Sequence, residues 1–381
     1  MKLSTDRTLT THVGSLPRGA KVLEFLYQKE NGESYDPAAF DEAVAEAVDD
    51  VVAKQVAVGI DVVSDGETSK VGYATYIKDR LSGFEGHYPR PPHLDLAPHP
   101  AFREAMARMV GKQTFKRAAC TGPIELVDRD AMKKDVANMR AAVKRHRAVD
   151  AFMNAASPGV ISSFQSNRYY PTHEAYVDAI AAAMKSEYDA IATAGFVLQL
   201  DCPDLAMARH TGFQDLTEQE FLRRAEYQVE ALNRAVADIP ADAMRLHVCW
   251  GNYEGPHDHD IPLQKILSIV LKAKPAGILF EAANPRHRHE WAIWRAAKLP
   301  DDKVLIPGCI TSTSNYVEHP ELVAQQICQY ADIVGRDRVI AGTDCGFGTF
   351  AGLGRVDPDI AYKKLASLAE GAALATKRLW G

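Results

Sequence analysis

His247 and Cys249 stand two residues apart in the run RLHVCW at 245–250. Side chains two apart on a strand point to the same face, so an imidazole nitrogen and a sulfur would converge on one point. Mixed nitrogen and sulfur donors suit zinc. A buried histidine beside a core cysteine would give the same triplet, so the pair needs company. Residues 276–281 form an apolar run ending in Glu281, and residues 339–345 form another ending in Cys345 among glycines. A buried carboxylate is costly without a partner. The alternatives are a solvated Glu just past its strand and a tight turn with an incidental thiol. Together His247, Cys249, Glu281 and Cys345 would fill a four-coordinate site, and exchange of a weak oxygen ligand would admit an incoming thiol. A thiol of pKa about 8.5 is mostly protonated at neutral pH, and zinc would deprotonate it while leaving a nucleophilic sulfur.

Three further strand ends offer substrate contacts. Residues 11–18 (THVGSLPR) end in a Gly-Ser turn whose N–H groups and hydroxyl could hold a carboxylate. Asp65, Gly66 and Glu67 end a second run, and Asp201, Cys202, Pro203 and Asp204 end another; their carboxylates could grip an ammonium group, or serve only as turns and caps. Other histidines compete for a metal. His257, Asp258 and His259, and then His287, His289 and Glu290, read better as solvated loop or helix-start residues.

These residues need positioning elements, and the chain supplies them in alternation. Strand-like runs fall at 10–15, 61–64, 117–124, 196–201, 245–250, 277–281, 304–310 and 339–343. Between several of them lie helical stretches such as 41–58, 173–194 and 217–237, and 359–379 is helical in pattern. Eight such strands with right-handed crossovers predict an α/β fold, a (β/α)8 TIM barrel with loop insertions. The run at 159–164 competes as a ninth strand and is read as part of an insertion. An open doubly wound sheet is the alternative, weakened because neither G-x-G-x-x-G nor a P-loop appears. Residues 83–100, dense in Pro, His and Gly, read as a long ordered loop. The expected organisation is one barrel over 1–381 with an insertion at 71–112.

Composition narrows the partners. The 381 residues are 46% hydrophobic and 25% charged, the balance of an ordinary globular chain. A net charge of −6 gives no reason to expect nucleic acid or an anionic membrane as partner. No run reaches the roughly 18 apolar residues of a membrane span, and the first residues carry no signal-peptide pattern. The expected compartment is therefore the cytosol, where the six cysteines, scattered without framework spacing, stay reduced.

Taken in order, these motifs resemble the catalytic barrel of cobalamin-independent methionine synthase, over nearly the whole chain. HVGSLPR is similar to the family's I-G-S-x-P turn, SDGE to its G-E strand end, TGPIEL at 121–126 to its T-G-P segment, and LQLDCPDL at 198–205 to its Q-x-D-E-P-A-L. The resemblance implies zinc at His247, Cys249, Glu281 and Cys345, and homocysteine held by Val13, Gly14, Ser15, Glu67 and Asp201. It further implies a zinc thiolate attacking an alkyl carbon in line, most simply methyl transfer to homocysteine giving methionine.

Three features depart from the pattern. There is no room for the duplicated N-terminal barrel; Thr313 stands about where the family has a proton-donating histidine, with His319 farther on; and Glu125 follows TGP where a folate-stacking tryptophan is expected. The thiol half of the site is thus firmer than the donor half. Epoxyalkane–coenzyme M transferases are similar to this family, so epoxide opening by a sulfonated thiol is the alternative. Such a thiol would favour a basic pocket, which tilts Glu67 and Asp201 toward an amino-acid thiol. A metal-free lyase resembling uroporphyrinogen decarboxylase would have no use for His247, Cys249 and Cys345 together.

Overall fold

The computed structural model describes residues 1–110 and 115–381. Eight parallel strands alternate with helices: β1 Leu9–Thr10, β2 Val62–Val63, β3 Asp150–Ala156, β4 Val197–Asp201, β5 Met244–Val248, β6 Gly277–Phe280, β7 Val304–Ile310 and β8 Ile340–Thr343. Each strand from β3 to β8 pairs in parallel with the one before it, and β1 pairs with β8. The ring closes where the Asp61 N–H donates to the Thr10 carbonyl at 3.2 Å and Thr11 Oγ1 donates to the Val62 carbonyl at 3.0 Å. This is the expected (β/α)8 barrel.

Alternation along the strands sorts the side chains. Leu198 and Leu200 of β4, Leu246 and Val248 of β5, and Ile278 and Phe280 of β6 join the core under the helices. Their neighbours face inward and form layers. Leu9, Leu279, Val304, Ile306 and Ile340, with Val62, Phe152 and Val197 beside them, make the apolar floor. Above it Arg245, fully buried, donates to Gln199 Oε1 at 2.8 Å, Thr11 Oγ1 at 2.9 Å and the His12 carbonyl at 2.8 Å. Continuing the same inward phase past this polar layer brings Asp201, His247, Cys249 and Glu281 to the rim. The helices are built by equally local rules. Glu218–Ala235 starts with a Thr217–Glu220 capping box and buries Phe221, Ala225, Val229 and Leu232 at helical spacing.

One expected strand is placed differently. Residues 117–124 do not enter the barrel; Ala119–Cys120 pairs antiparallel with Phe84–Glu85 in the connection from β2 to β3. The third barrel strand is Asp150–Ala156, DAFMNAA, whose alanines carry little strand preference. The run at 159–164 lies in the helix Pro158–Phe164, because Ser157 caps it by accepting the Val160 N–H at 3.0 Å and Pro158 fits its first turn. The connection from β2 to β3 also holds the helix Pro100–Val110; Gly111 and Lys112, the end of the expected insertion, lie outside the described residues. Arg80 fastens this connection to the barrel helices through Asp135 at 2.5 Å and Glu187 at 2.8 Å. Among the described residues no helix is long and apolar enough to cross a membrane.

Candidate active site at the barrel mouth

The strand C-termini open into a cavity of about 800 Å³. Val13, Ser15, Glu67, Asp201, His247, Cys249, Thr313 and Cys345 line it, whereas Gly14 and Glu281 do not. Cys249 Sγ lies 3.0 Å from Cys345 Sγ, which lies 3.9 Å from His247 Nε2. His247, Cys249 and Cys345 each bring one donor atom within 4.8 Å of the others. Glu281 is buried alongside, its Oε1 accepting the Trp250 N–H at 2.7 Å and its Oε2 accepting from Asn284 at 2.8 Å. Asp344 holds that arrangement together: its carboxylate accepts the N–H groups of Ala282, Ala283 and Asn284, tying the loop after β8 to the loop after β6.

The chemistry of this donor set fits a zinc ion. Its hydrogen bond with Cys345 draws the Cys249 thiol down, while burial and the Glu281 carboxylate push it up, to about 11. Cys345 is raised well above the usual thiol range by the hydrogen bond from Cys249 and by burial. Two such sulfurs beside a carboxylate hold their protons unless a dication balances them. The histidine is already oriented for that ion. Its Nδ1 lies 3.3 Å from Asp201 Oδ1, so the tautomer with Nδ1–H toward the carboxylate leaves Nε2 facing the sulfurs. Asp201→Asn is therefore expected to weaken zinc binding about 10–100-fold in a chelator competition; unchanged affinity would leave Asp201 no part in orienting His247.

The opposite wall is built from the first two strands. Gly14 has φ of +135°, and a Cβ there would come 2.1 Å from Asn154 Oδ1, so the turn requires glycine. Asn154 Nδ2 bridges the Val13 carbonyl at 2.9 Å and Asp201 Oδ2 at 3.0 Å. Ser15 is pressed against the loop carrying Cys345: its carbonyl accepts the Phe347 N–H at 2.8 Å, and a Cβ on Gly346 would lie 2.0 Å from Ser15 Oγ. Glu67 has φ of +55°, with its N–H donating to Asp65 Oδ1 at 2.9 Å and its carbonyl receiving the Arg18 guanidinium. Its Oε2 is buried with no partner. Burial and then the Asp201 charge push the Glu67 carboxyl up to about 8. A buried acid, lacking a partner beside a second acid, is a slot for a cation.

Several sequence expectations resolve differently. Asp204 is removed from the cavity and accepts from Ser157 Oγ at 2.8 Å. His319, by contrast, sits at a helix start as expected, capping Pro320–Val334, and does not line the cavity. Residues 121–126 contribute nothing to the lining. His287 and Glu290 are not solvated: both are buried, His287 bridging Asp260 at 2.9 Å and Glu290 at 3.0 Å. The carboxylates around that imidazole raise it to about 10 against the effect of its burial. Sequence reasoning missed Tyr73, Arg90, Arg117, Phe164, Tyr253 and Phe350, which line the outer cavity. Only the Pro- and His-rich character of 83–100 hinted at one of them.

Residues 8–87 match the model of the family described as "Cobalamin-independent synthase, Catalytic domain". A methionine synthase of Saccharolobus solfataricus is 25% identical over 384 residues, covering 97% of this chain and 95% of the relative. A methionine synthase of Thermococcus kodakarensis is also 25% identical, over 372 residues, covering 97% and 94%. The structure of a B12-independent methionine synthase from a Shewanella species, in complex with selenomethionine, superposes with a TM-score of 0.70 at 17% identity, over 98% of this chain and 99% of that one. The chain spans nearly the whole length of both relatives. Along nearly its whole length this chain is similar in sequence to methionine synthases, its first strands match the cobalamin-independent synthase catalytic domain, and its fold is that of a B12-independent methionine synthase.

Proposed function

We propose that the chain, working as a single barrel, is a zinc-dependent S-alkyltransferase that methylates homocysteine to methionine. The observation that carries this reading is the convergence of His247, Cys249 and Cys345 on a cavity whose facing wall holds the unpartnered Glu67 carboxyl. The naming of its full-length relatives as methionine synthases supports it.

In this reading His247, Cys249, Glu281 and Cys345 hold zinc. When bound, zinc supplies the positive charge that takes an incoming thiol to its nucleophilic form. Glu67 and Asp201 hold the ammonium of homocysteine, and the turn at Val13, Gly14 and Ser15 holds its carboxylate. Fixed at both ends, the substrate presents its sulfur toward the cavity centre, where an alkyl group enters from the outer side. A new S–C bond forms as the bond from that carbon to the donor breaks; the thiol proton goes to solvent, and the departing donor needs a proton. Thr313 lines the wall where the family has its histidine. The Tyr73 phenol lines the same cavity as a second hydroxyl within it; burial, with Cys249 and Asp201 nearby, raises it above the ordinary phenol range.

One observation favours a second reading. Arg90 crosses the Phe164 ring at 4.2 Å, and its Nε and Nη2 are buried without partners; Arg117 lines the same wall. Such a wall suits an anionic alkyl donor, and equally the sulfonate of coenzyme M. Zinc-edge X-ray absorption with each thiol tests both. An added sulfur neighbour with homocysteine is expected; one appearing only with coenzyme M would overturn the first reading in favour of the second.

A further inference from the structure

The connection from β2 to β3 and the turn after β4 bring a second group of ligand-type side chains together. His93, Asp95 and His210 each place one donor atom within 4.8 Å of the others. Asp95 and His210 are 1% and 0% exposed. Asp95 Oδ1, His93 Nδ1 and His210 Nδ1 are all buried without a hydrogen-bond partner. Three orphaned polar atoms on three neighbouring side chains are a large unpaid desolvation cost unless something binds them. Asp260 Oδ1 stands 3.5 Å from His210 Nδ1 but makes no hydrogen bond to it.

The surroundings prepare the group for a cation. Tyr253 donates to Asp95 Oδ2 at 2.6 Å and lies 3.3 Å from His210 Nε2. The His257 N–H also donates to Asp95 Oδ2, at 3.1 Å, which leaves Oδ1 as the free oxygen. The Leu94 N–H donates to the His210 carbonyl at 3.0 Å, locking the two segments in register. Burial, with His210 nearby, holds His93 at about 4, and burial also lowers His210, so both imidazoles are neutral and able to ligate.

We propose that His93, Asp95 and His210 form a second divalent-cation site, separate from the cysteine-containing one. Two imidazole nitrogens and one carboxylate oxygen suit a first-row ion of zinc's class, with Tyr253 beside the ligand set. The ion would pin the inserted connection to the barrel and shape the outer wall of the cavity, which His93 and Tyr253 line.

The test is metal stoichiometry of the purified full chain after loading with Zn²⁺ and gel filtration. Two equivalents are expected in the wild type, and one in each of His93→Gln, Asp95→Asn and the double variant Cys249→Ser/Cys345→Ser. With Co²⁺ that double variant should still bind one equivalent but lose the sulfur-to-cobalt charge-transfer absorption, and chelation should lower its melting temperature. Two equivalents retained in both His93→Gln and Asp95→Asn, or a single wild-type equivalent that both variants keep and the cysteine double variant loses, would overturn the site. Loss of an equivalent in those two variants alone would uphold it while sinking the zinc reading at the cysteines, so the two failures stay distinguishable.

Discussion

Cys345→Ser is expected to lower zinc affinity at the barrel mouth by at least about 100-fold, beyond the roughly 10–100-fold typical of an outer-shell change, and to abolish methyl transfer with it. The sulfur it removes is one of three donors gathered within 4.8 Å, and it lies 3.0 Å from Cys249 Sγ. A hydroxyl of nearly the same size fills the space but does not give up its proton as a thiol does, so the ligand charge is lost without leaving a void. The barrel should survive. Cys345 follows β8 in a loop fixed by Asp344 and by the contact with Ser15, neither of which uses its sulfur. Folding, read by circular dichroism and thermal melting, should change by no more than about 1–2 kcal/mol. Cys249→Ser should behave in the same way. Full zinc occupancy at this site in either variant would refute the ligand assignment.

The gathering of His247, Cys249 and Cys345 is legible because strand period and donor chemistry agree. His247 and Cys249 share a strand face by spacing alone, and Glu281 and Cys345 end apolar runs that read as strands. What spacing could not reveal is the support beneath them. Asp344 lies next to Cys345 in sequence and reads as part of a turn, yet it sews two distant loops together. Arg245 reads as an ordinary charged residue, yet it fills the barrel above the apolar floor. Such roles depend on contacts between residues far apart in the chain, and no local pattern encodes them.

The third strand shows the same limit on the fold side. Residues 117–124 have more strand character than DAFMNAA, but burial on both faces makes an alanine-rich strand viable, and the longer connection carries the better-looking run away from the barrel. His287 misleads for a related reason. A histidine near a polar loop looks solvated until Asp260 and Glu290, one distant and one local, are seen to close around it.

Glu67→Gln is expected to stabilise the protein while damaging it as an enzyme. The folded chain holds the Glu67 carboxyl at about 8, against an ordinary 4.5, because of burial and the neighbouring Asp201. Between those two values the folded state binds a proton that the unfolded state has released. Wild-type stability therefore falls as pH rises through the window, whereas glutamine, which does not titrate, is indifferent. The advantage of Glu67→Gln should be small near pH 4.5 and grow to a few kcal/mol by pH 8, a gain of several degrees in melting temperature. The same raised acid is poised to receive an ammonium group, and ionises when one arrives. Losing it should raise the KM for homocysteine about 10–100-fold, and that for a thiol without the amino group far less. This is the expected signature of a group kept at the expense of stability for the sake of binding. A melting difference that stays flat from pH 5 to pH 8, or equal weakening of both thiols, would place Glu67 among the structural residues instead.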